Sequence, residues 1–293
     1  MDAALMGKPD EQDKAEMEHE QAERLTEEED QPVEKERDDV VELLKAMAIA
    51  AVIALFIRSF MFEPFNIPSG SMYPTLLVGD YLFVKKWSYG YSTYSFPLDA
   101  VPIDGRVLDK PAARGDVIVF RQPLKPGIDY IKRVIGLPGD TVQVKEGRVI
   151  LNGKMLQREY KGAVNFNENG SFSVFQKYVE TLPDGARHEI FEISDNEALD
   201  DTYEFTVPED HYFVMGDNRD QSLDSRVPRE LGFVPERNLI GPAVTIFFST
   251  EGIGDKCVKE GVLAALKAVG CKMVEHAKAI RYSRIFRSVS TVE

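Results

Sequence analysis

Twelve consecutive uncharged residues, AMAIAAVIALFI from Ala46 to Ile57, constrain this chain more than any other stretch. A spanning helix needs about 20 apolar residues, so twelve alone fall short. The flanks supply the rest: Val40, Val41, Leu43 and Leu44 before, Phe60, Met61 and Phe62 after, which extends the segment to 40–62. Glu42, Lys45 and Arg58 stand near its ends, where long side chains reach the headgroups. The alternative is a buried core helix, but the segment is apolar on nearly every face and follows a polar leader of 39 residues. It reads as a transmembrane helix. No short basic region opens the chain, so it reads as an uncleaved anchor rather than a signal peptide. Lys35, Arg37 and Lys45 precede it and Arg58 follows, so flanking charge leaves its orientation open.

The anchor also divides the charge. Residues 1–45 hold 17 Asp/Glu against 6 Lys/Arg, while the remaining 248 hold 32 against 29. The acidity belongs to the leader and says little about the folded part. An acidic leader without aromatic residues, 1–39, reads as a disordered tail. No basic patch stands out, which argues against nucleic acid as a partner. Two cysteines, Cys257 and Cys271, and four scattered histidines give no metal-ligand spacing, so neither a metal nor a cofactor is expected. On one straight helix the two cysteines would stand about 21 Å apart, too far to bond.

After residue 63 the chain is mostly β. Short runs rich in Val, Ile, Phe and Tyr, split by Gly, Pro and Asp, predict strands at Tyr81–Lys86, Asp116–Arg121, Tyr130–Ile135, Thr141–Lys145, Arg148–Leu151, Glu204–Val207, Tyr212–Met215 and Ala243–Phe248. Glu146-Gly147 predicts a tight hairpin. Without βαβ alternation, the fold class is packed antiparallel sheets. Residues 154–203 are polar and lack clear periodicity, and read as an inserted subdomain. Val258, Val262, Leu263, Leu266, Val269, Met273 and Val274 recur at helical spacing and predict a C-terminal amphipathic helix, followed by the basic, aromatic end AIRYSRIFRSVS.

Three stretches can carry chemistry. In IPSGSMYPT, Ser69 and Ser71 flank Gly70, whose missing side chain relaxes the backbone and admits a close substrate. A serine needs a neighbouring base. His19, His188, His211 and His276 are poorly placed for that work. A lysine serves if burial brings its pKa towards neutrality, and Lys132 lies inside the apolar run DYIKRVIG. On that run alone, an edge-strand lysine pointing at water is the commoner reading. GDNRDQSLDSR (216–226) is either a solvent loop or a buried polar network. Within it Asp224 and Arg226 can pair, and Ser222 can hydrogen-bond a neighbour.

Together these stretches resemble the bacterial type I signal peptidases. The matching blocks are EPFNIPSGSMYPTLLVGDYLFVKK (63–86), RGDVIVFR (114–121), DYIKRVIGLPGD (129–140), YFVMGDNRDQSLDSR (212–226) and GFVPERNLIG (232–241), all in the family's order. The C-terminal IRYSRIFRS also resembles the family's endings. The resemblance implies a serine endopeptidase with Ser71 as nucleophile and Lys132 as general base. It implies that Ser69 joins the Ser71 N–H in the oxyanion hole, Ser222 orients the lysine, Tyr130 packs beside it, and Asp224–Arg226 braces the site. Gln221 departs from the asparagine commoner there. Implied partners are signal peptides with Ala-x-Ala-like cleavage sites and a phospholipid membrane, the chain acting as a monomer in the inner membrane with its catalytic part outside. The chain then divides into tail 1–39, anchor 40–62, catalytic core 63–153 and 204–250 around the inserted subdomain 154–203, and the C-terminal helix and basic end 251–293. Phe60, Phe62, Phe65, Ile67, Met72, Tyr73 and Leu76 would form an apolar rim suited to the bilayer surface, part of it ordinary core. A self-cleaving repressor shares a serine–lysine dyad, but it lacks an anchor and carries a DNA-binding domain.

Overall fold

The computed structural model describes residues 32–96, 101–168, 171–251 and 279–289, with positions 15, 17 and 19. The predicted C-terminal helix, Cys257, Cys271 and most of the acidic leader lie outside these residues. The chain divides into two compact units, Met1–Phe56 and Ile57–Glu293. One helix, α1 (Pro32–Phe60), carries the apolar segment, and Val40–Phe60 is long and apolar enough to cross a membrane. Its side chains from Val40 to Arg58 are exposed, as an anchor's would be and a core helix's would not.

The rest is β. The strands in chain order are β1 (Phe62–Asn66), β2 (Asp80–Lys85), β3 (Val117–Arg121), β4 (Asp129–Gly136), β5 (Thr141–Lys145), β6 (Arg148–Leu151), β7 (Lys154–Met155), β8 (Gln157–Glu168), β9 (Ser171–Thr181), β10 (Arg187–Glu192), β11 (Phe205–Thr206), β12 (His211–Met215), β13 (Val234–Pro235) and β14 (Leu239–Ser249). They form three antiparallel sheets, in the orders β1-β2-β14-β3-β4-β12-β13, β11-β5-β6-β7 and β10-β9-β8. The β5–β6 hairpin turns at Glu146 and Gly147, both at positive φ (49° and 67°), the two-residue geometry whose twist suits adjoining strands.

β3, VIVFR, is buried along four of its five positions because β14 and β4 flank it and apolar clusters cover both faces. Such a central strand reads as a continuous apolar run, and this one fixes β4 beside it with Ile118 opposite Lys132. The polar 154–203 segment is more regular than its sequence suggests. It forms the long β8–β9 hairpin with β10 alongside. Burial reaches both of its faces: Glu180, His188 and Glu192, all about 1% exposed, lie on one, and Phe175 and Val179 on the other. A register shift at Tyr160/Gly162 further breaks the alternation.

The apolar rim is also corrected. Ile67, Met72, Tyr73 and Leu76 are at most 3% exposed and belong to the core, leaving Phe60, Phe62 and Phe65 at least partly exposed. The basic end folds back on the body. Arg284 donates to both carboxylate oxygens of Asp80 and, at 2.9 Å, to the Thr75 carbonyl, while Arg281 donates to the Val78 and Thr250 carbonyls. These arginines pin the loop that follows the SGSM turn.

Candidate active site

Gly70–Met72 form a single 3-10 turn entered from extended Ser69. Met72 and Leu76, fully buried, pull the turn down onto the core, and Ser71 is left half-buried beside a cleft. The backbone is held from the far side. Asn218 donates its N–H to the Ser71 carbonyl at 3.2 Å and its Nδ2 to the Gly70 carbonyl at 3.1 Å. Gly70 meets a further need that its sequence does not suggest. A Cβ there would stand 2.5 Å from Cε2 of Tyr73, so the missing side chain makes room for that ring.

Lys132, on β4, is 4% exposed. Its Nζ donates to Ser71 Oγ at 2.7 Å and to the Ile131 carbonyl at 3.0 Å. The 61-residue separation of serine and lysine is closed by β-pairing: β2, which follows the SGSM turn, is joined through β14 and β3 to β4, which carries the lysine. Tyr130 packs beside it, with its ring centroid 5.6 Å from Nζ. Burial pushes the Lys132 ammonium down to about 8, with Asp224 and Asp217 opposing the shift and Arg226 adding to it. A lysine so placed is partly neutral near physiological pH, and its lone pair is then able to accept a hydroxyl proton. Ser69, Ser71 and Lys132 share a cleft of about 420 Å³, walled by Phe65, Ile67, Ile128, Tyr130, Ile131 and Leu223.

Loop 216–226 is a buried network. Arg226 donates from Nε and Nη2 to the two oxygens of Asp224, both at 2.9 Å, and Gly216 N–H donates to Asp224 as well. Ser222 is 5% exposed against Gly216, but its Oγ has no hydrogen-bond partner among the described residues, so the expected bond to Lys132 is absent from this arrangement. A second ion pair escaped the sequence. Arg133 donates to both oxygens of Asp217 at 2.8 and 2.7 Å, and the Thr75 hydroxyl donates to the same carboxylate at 2.5 Å. Burial opposes the charge on Asp217, but Arg133 outweighs it and holds the carboxyl below its ordinary range. Arg133 adjoining Lys132 in an apolar run was the available signal, since a buried guanidinium demands a partner. The partner, 84 residues away, was not legible. Sequence reasoning also missed Asn218 as the residue that holds the serine turn.

His188 is 1% exposed, with Nε2 3.3 Å from Glu180 and 3.4 Å from Arg219, and it does not line the cleft. Burial, and then Arg133, lower its pKa.

Comparison with known proteins adds an independent line. Residues 40–248 match the family described as "Signal peptidase, peptidase S26". A signal peptidase I of Rickettsia typhi is 41% identical over 250 residues, covering 82% of this chain and 90% of that one. One from Rickettsia akari is 44% identical over 212 residues, covering 70% and 78%. A solved signal peptidase I from Enterococcus faecalis V583 is 30% identical, covering 45% of this chain and 97% of that one, with a TM-score of 0.27. By the extent of the family match and the identity to these Rickettsia proteins, the chain belongs to the signal peptidase family, peptidase S26, and is a serine peptidase.

Proposed function

We propose that this chain is a membrane-anchored endopeptidase that removes signal peptides from secreted preproteins through a Ser71–Lys132 dyad. The observation that carries the reading is the 2.7 Å contact between a buried Lys132 Nζ and Ser71 Oγ inside a cleft. Neutral Lys132 takes the hydroxyl proton as Ser71 Oγ attacks the scissile carbonyl. The resulting lysine ammonium protonates the leaving amine as the peptide bond breaks and the acyl-enzyme forms. A water, deprotonated by the same lysine, then hydrolyses the ester and returns Ser71.

The cleft suits an extended peptide. β12 pairs with β4 at Arg133, Val134 and Gly136, which leaves Asp129–Lys132 without a strand on that edge among the described residues. β1 is the outer strand at the other end of the sheet, and its last residues face the same cleft. A chain laid between these edges gains main-chain hydrogen bonds, while the small apolar space favours short side chains such as alanine. A surface run of aromatic rings, Trp87–Phe62–Phe83–Phe247–Tyr81–Phe248, with neighbouring centroids 4.3 to 6.1 Å apart, supports contact with the bilayer interface. On this reading the enzyme works as a monomer in the inner membrane, tail in the cytoplasm and cleft outside. The reading is tested by incubating the detergent-solubilised full chain with a preprotein bearing a secretory signal peptide. One cut at the end of that peptide is expected, and an intact preprotein would overturn it.

Two further results are expected in that assay. Lys132 must be neutral in the free enzyme, and burial has lowered its pKa. The log of kcat/KM should therefore rise with pH at a slope of one and level off near about 8. A limb near 6.5, the ordinary histidine value, would point to another base. Ser69 lies in the cleft two residues from the nucleophile, as an oxyanion donor would. Ser69→Ala should lower kcat by roughly 10²-fold with KM nearly unchanged. A change confined to KM would remove the oxyanion role.

A further inference from the structure

The nucleophile turn and the catalytic loop are both tied to the same outlying sheet, β8–β9–β10. Tyr73, 3% exposed, faces Gly70 on one side and on the other packs against Phe166 with centroids 4.5 Å apart. Phe166 meets Phe175 and Phe191 at 6.2 Å, and the latter two stack at 5.1 Å with rings 10° from parallel. From this same sheet, Phe191 N–H donates to the Asp217 carbonyl at 2.9 Å. Glu180, on β9, accepts two bonds from Arg219 at 2.9 and 2.6 Å, both side chains at most 2% exposed. Asn218, between Asp217 and Arg219, then returns to the serine turn through the Gly70 and Ser71 carbonyls. The contacts close a ring: serine turn, Tyr73, aromatic layer, catalytic loop, serine turn.

We propose that Tyr73 is a positioning residue for Ser71, a wedge that transmits the placement of the β8–β10 sheet to the nucleophile through Gly70. This rests on Ser71 being the nucleophile. The ring does not line the cleft, so it makes no contact there with substrate. What it sets is the height and tilt of a single 3-10 turn whose middle residue, Ser71, carries the attacking oxygen. A flat ring fits the gap beside Gly70, because its Cδ2, Cε2 and Cζ lie 2.5 to 3.0 Å from where a Cβ would be. A branched aliphatic side chain of similar reach leaves part of that gap empty, and a methyl on Gly70 overfills it. Either change moves Oγ relative to a lysine anchored on a different strand. Misplacement of reacting groups by about 1 Å costs about 10²-fold in rate.

The test uses the detergent-solubilised full chain and a signal-peptide-bearing preprotein, with kcat and KM measured separately. Tyr73→Phe keeps the wedge and should stay within about twofold of wild type. Tyr73→Leu should lose at least about tenfold in kcat with KM within about twofold. Gly70→Ala should behave similarly. The double variant Gly70→Ala/Tyr73→Leu should lose less than the product of the single losses, because the smaller side chain accommodates the methyl. Wild-type kcat in Tyr73→Leu, a loss confined to KM, or strictly multiplicative losses in the double variant would each overturn the proposal. If thermal melting shows that Tyr73→Leu does not fold, Phe191→Leu decides the matter. It thins the same layer from the sheet side, and the same kcat loss is expected, with wild-type kcat overturning the wedge. Wild-type protein and Ser71→Ala run in parallel separate the two readings. An inactive wild type or an active Ser71→Ala defeats the dyad, whereas normal Tyr73→Leu kinetics beside an inert Ser71→Ala defeats the wedge alone.

Discussion

Lys132→Met should abolish signal-peptide processing while leaving the fold at least as stable as before. The two halves of this expectation come from one cause. Burial lowers the lysine pKa from 10.5 to about 8, which means that the folded state resists holding the ammonium. At pH 7 that resistance amounts to about 3 kcal/mol. The sign follows from linkage: between about 8 and 10.5 the unfolded chain binds the proton and the folded chain does not, so stability rises with pH across that window. Methionine has similar length and no charge to desolvate, so the penalty vanishes. Catalysis vanishes with it, because Ser71 Oγ loses the base 2.7 Å away. The loss should be on the order of 10⁴-fold or more in kcat, as for removal of a triad member, and Ser71→Ala should match it. The two losses should not add, since neither group acts without the other. Processing of a preprotein and thermal melting, measured on the same purified variants, check both halves. Retained cleavage in either variant would sink the dyad, and a lower melting temperature in Lys132→Met would contradict the cost assigned to the buried ammonium.

The legibility of this site in the sequence follows the range of the interactions. Asp224 and Arg226 are two residues apart in one polar loop, so their pairing could be anticipated from the loop itself. Ser71 and Lys132 are 61 residues apart, and each was marked by local chemistry: a hydroxyl on a constrained turn, and a lysine in an apolar strand. The structure brings them to 2.7 Å. Arg133–Asp217, Asn218–Gly70 and Arg284–Asp80 span 84, 148 and 204 residues. Arg133 apart, nothing local distinguishes those side chains from solvent-facing ones. The same reason hid the β8–β10 sheet. A half-buried strand announces itself by alternation only when one apolar face is buried, and here one buried face holds Glu180, His188 and Glu192 and the other Phe175, Val179 and Phe191. At Gly70 a second constraint was hidden, because sequence order does not reveal that Tyr73 turns back over it. The central strands were the most legible. β3 lies between β14 and β4 with both faces buried, which left the apolar run Val117–Phe120 in the sequence.

Asp217→Asn is expected to cost more stability than loss of Lys132 and to shift the activity profile as well. Asp217 and Arg133 are each 1% exposed and joined by two hydrogen bonds, so solvent does little to screen the pair. Asparagine fills the same space but leaves the guanidinium charge uncompensated, which costs about 3–5 kcal/mol for a buried pair. It also takes one acceptor oxygen from Thr75 and Arg133. Thermal or denaturant unfolding of the full chain in detergent should record that loss at pH 7. Asp217 has its pKa depressed in the folded state, so its contribution is fully present above the ordinary carboxylate value of about 4 and fades as pH falls below it. Wild type and variant should therefore converge in stability at low pH. Replacing both partners, Asp217→Leu with Arg133→Met, should recover much of the loss, because two apolar side chains leave no charge buried. The kinetic consequence runs through Lys132. Asp217 is one of the two carboxylates that hold its pKa up against burial, so removing the charge should move the rising limb of kcat/KM below about 8. A purely structural lesion would lower activity without moving that limb. A limb that stays in place while stability falls would separate Asp217 from the electrostatics of the dyad and leave it as a brace alone.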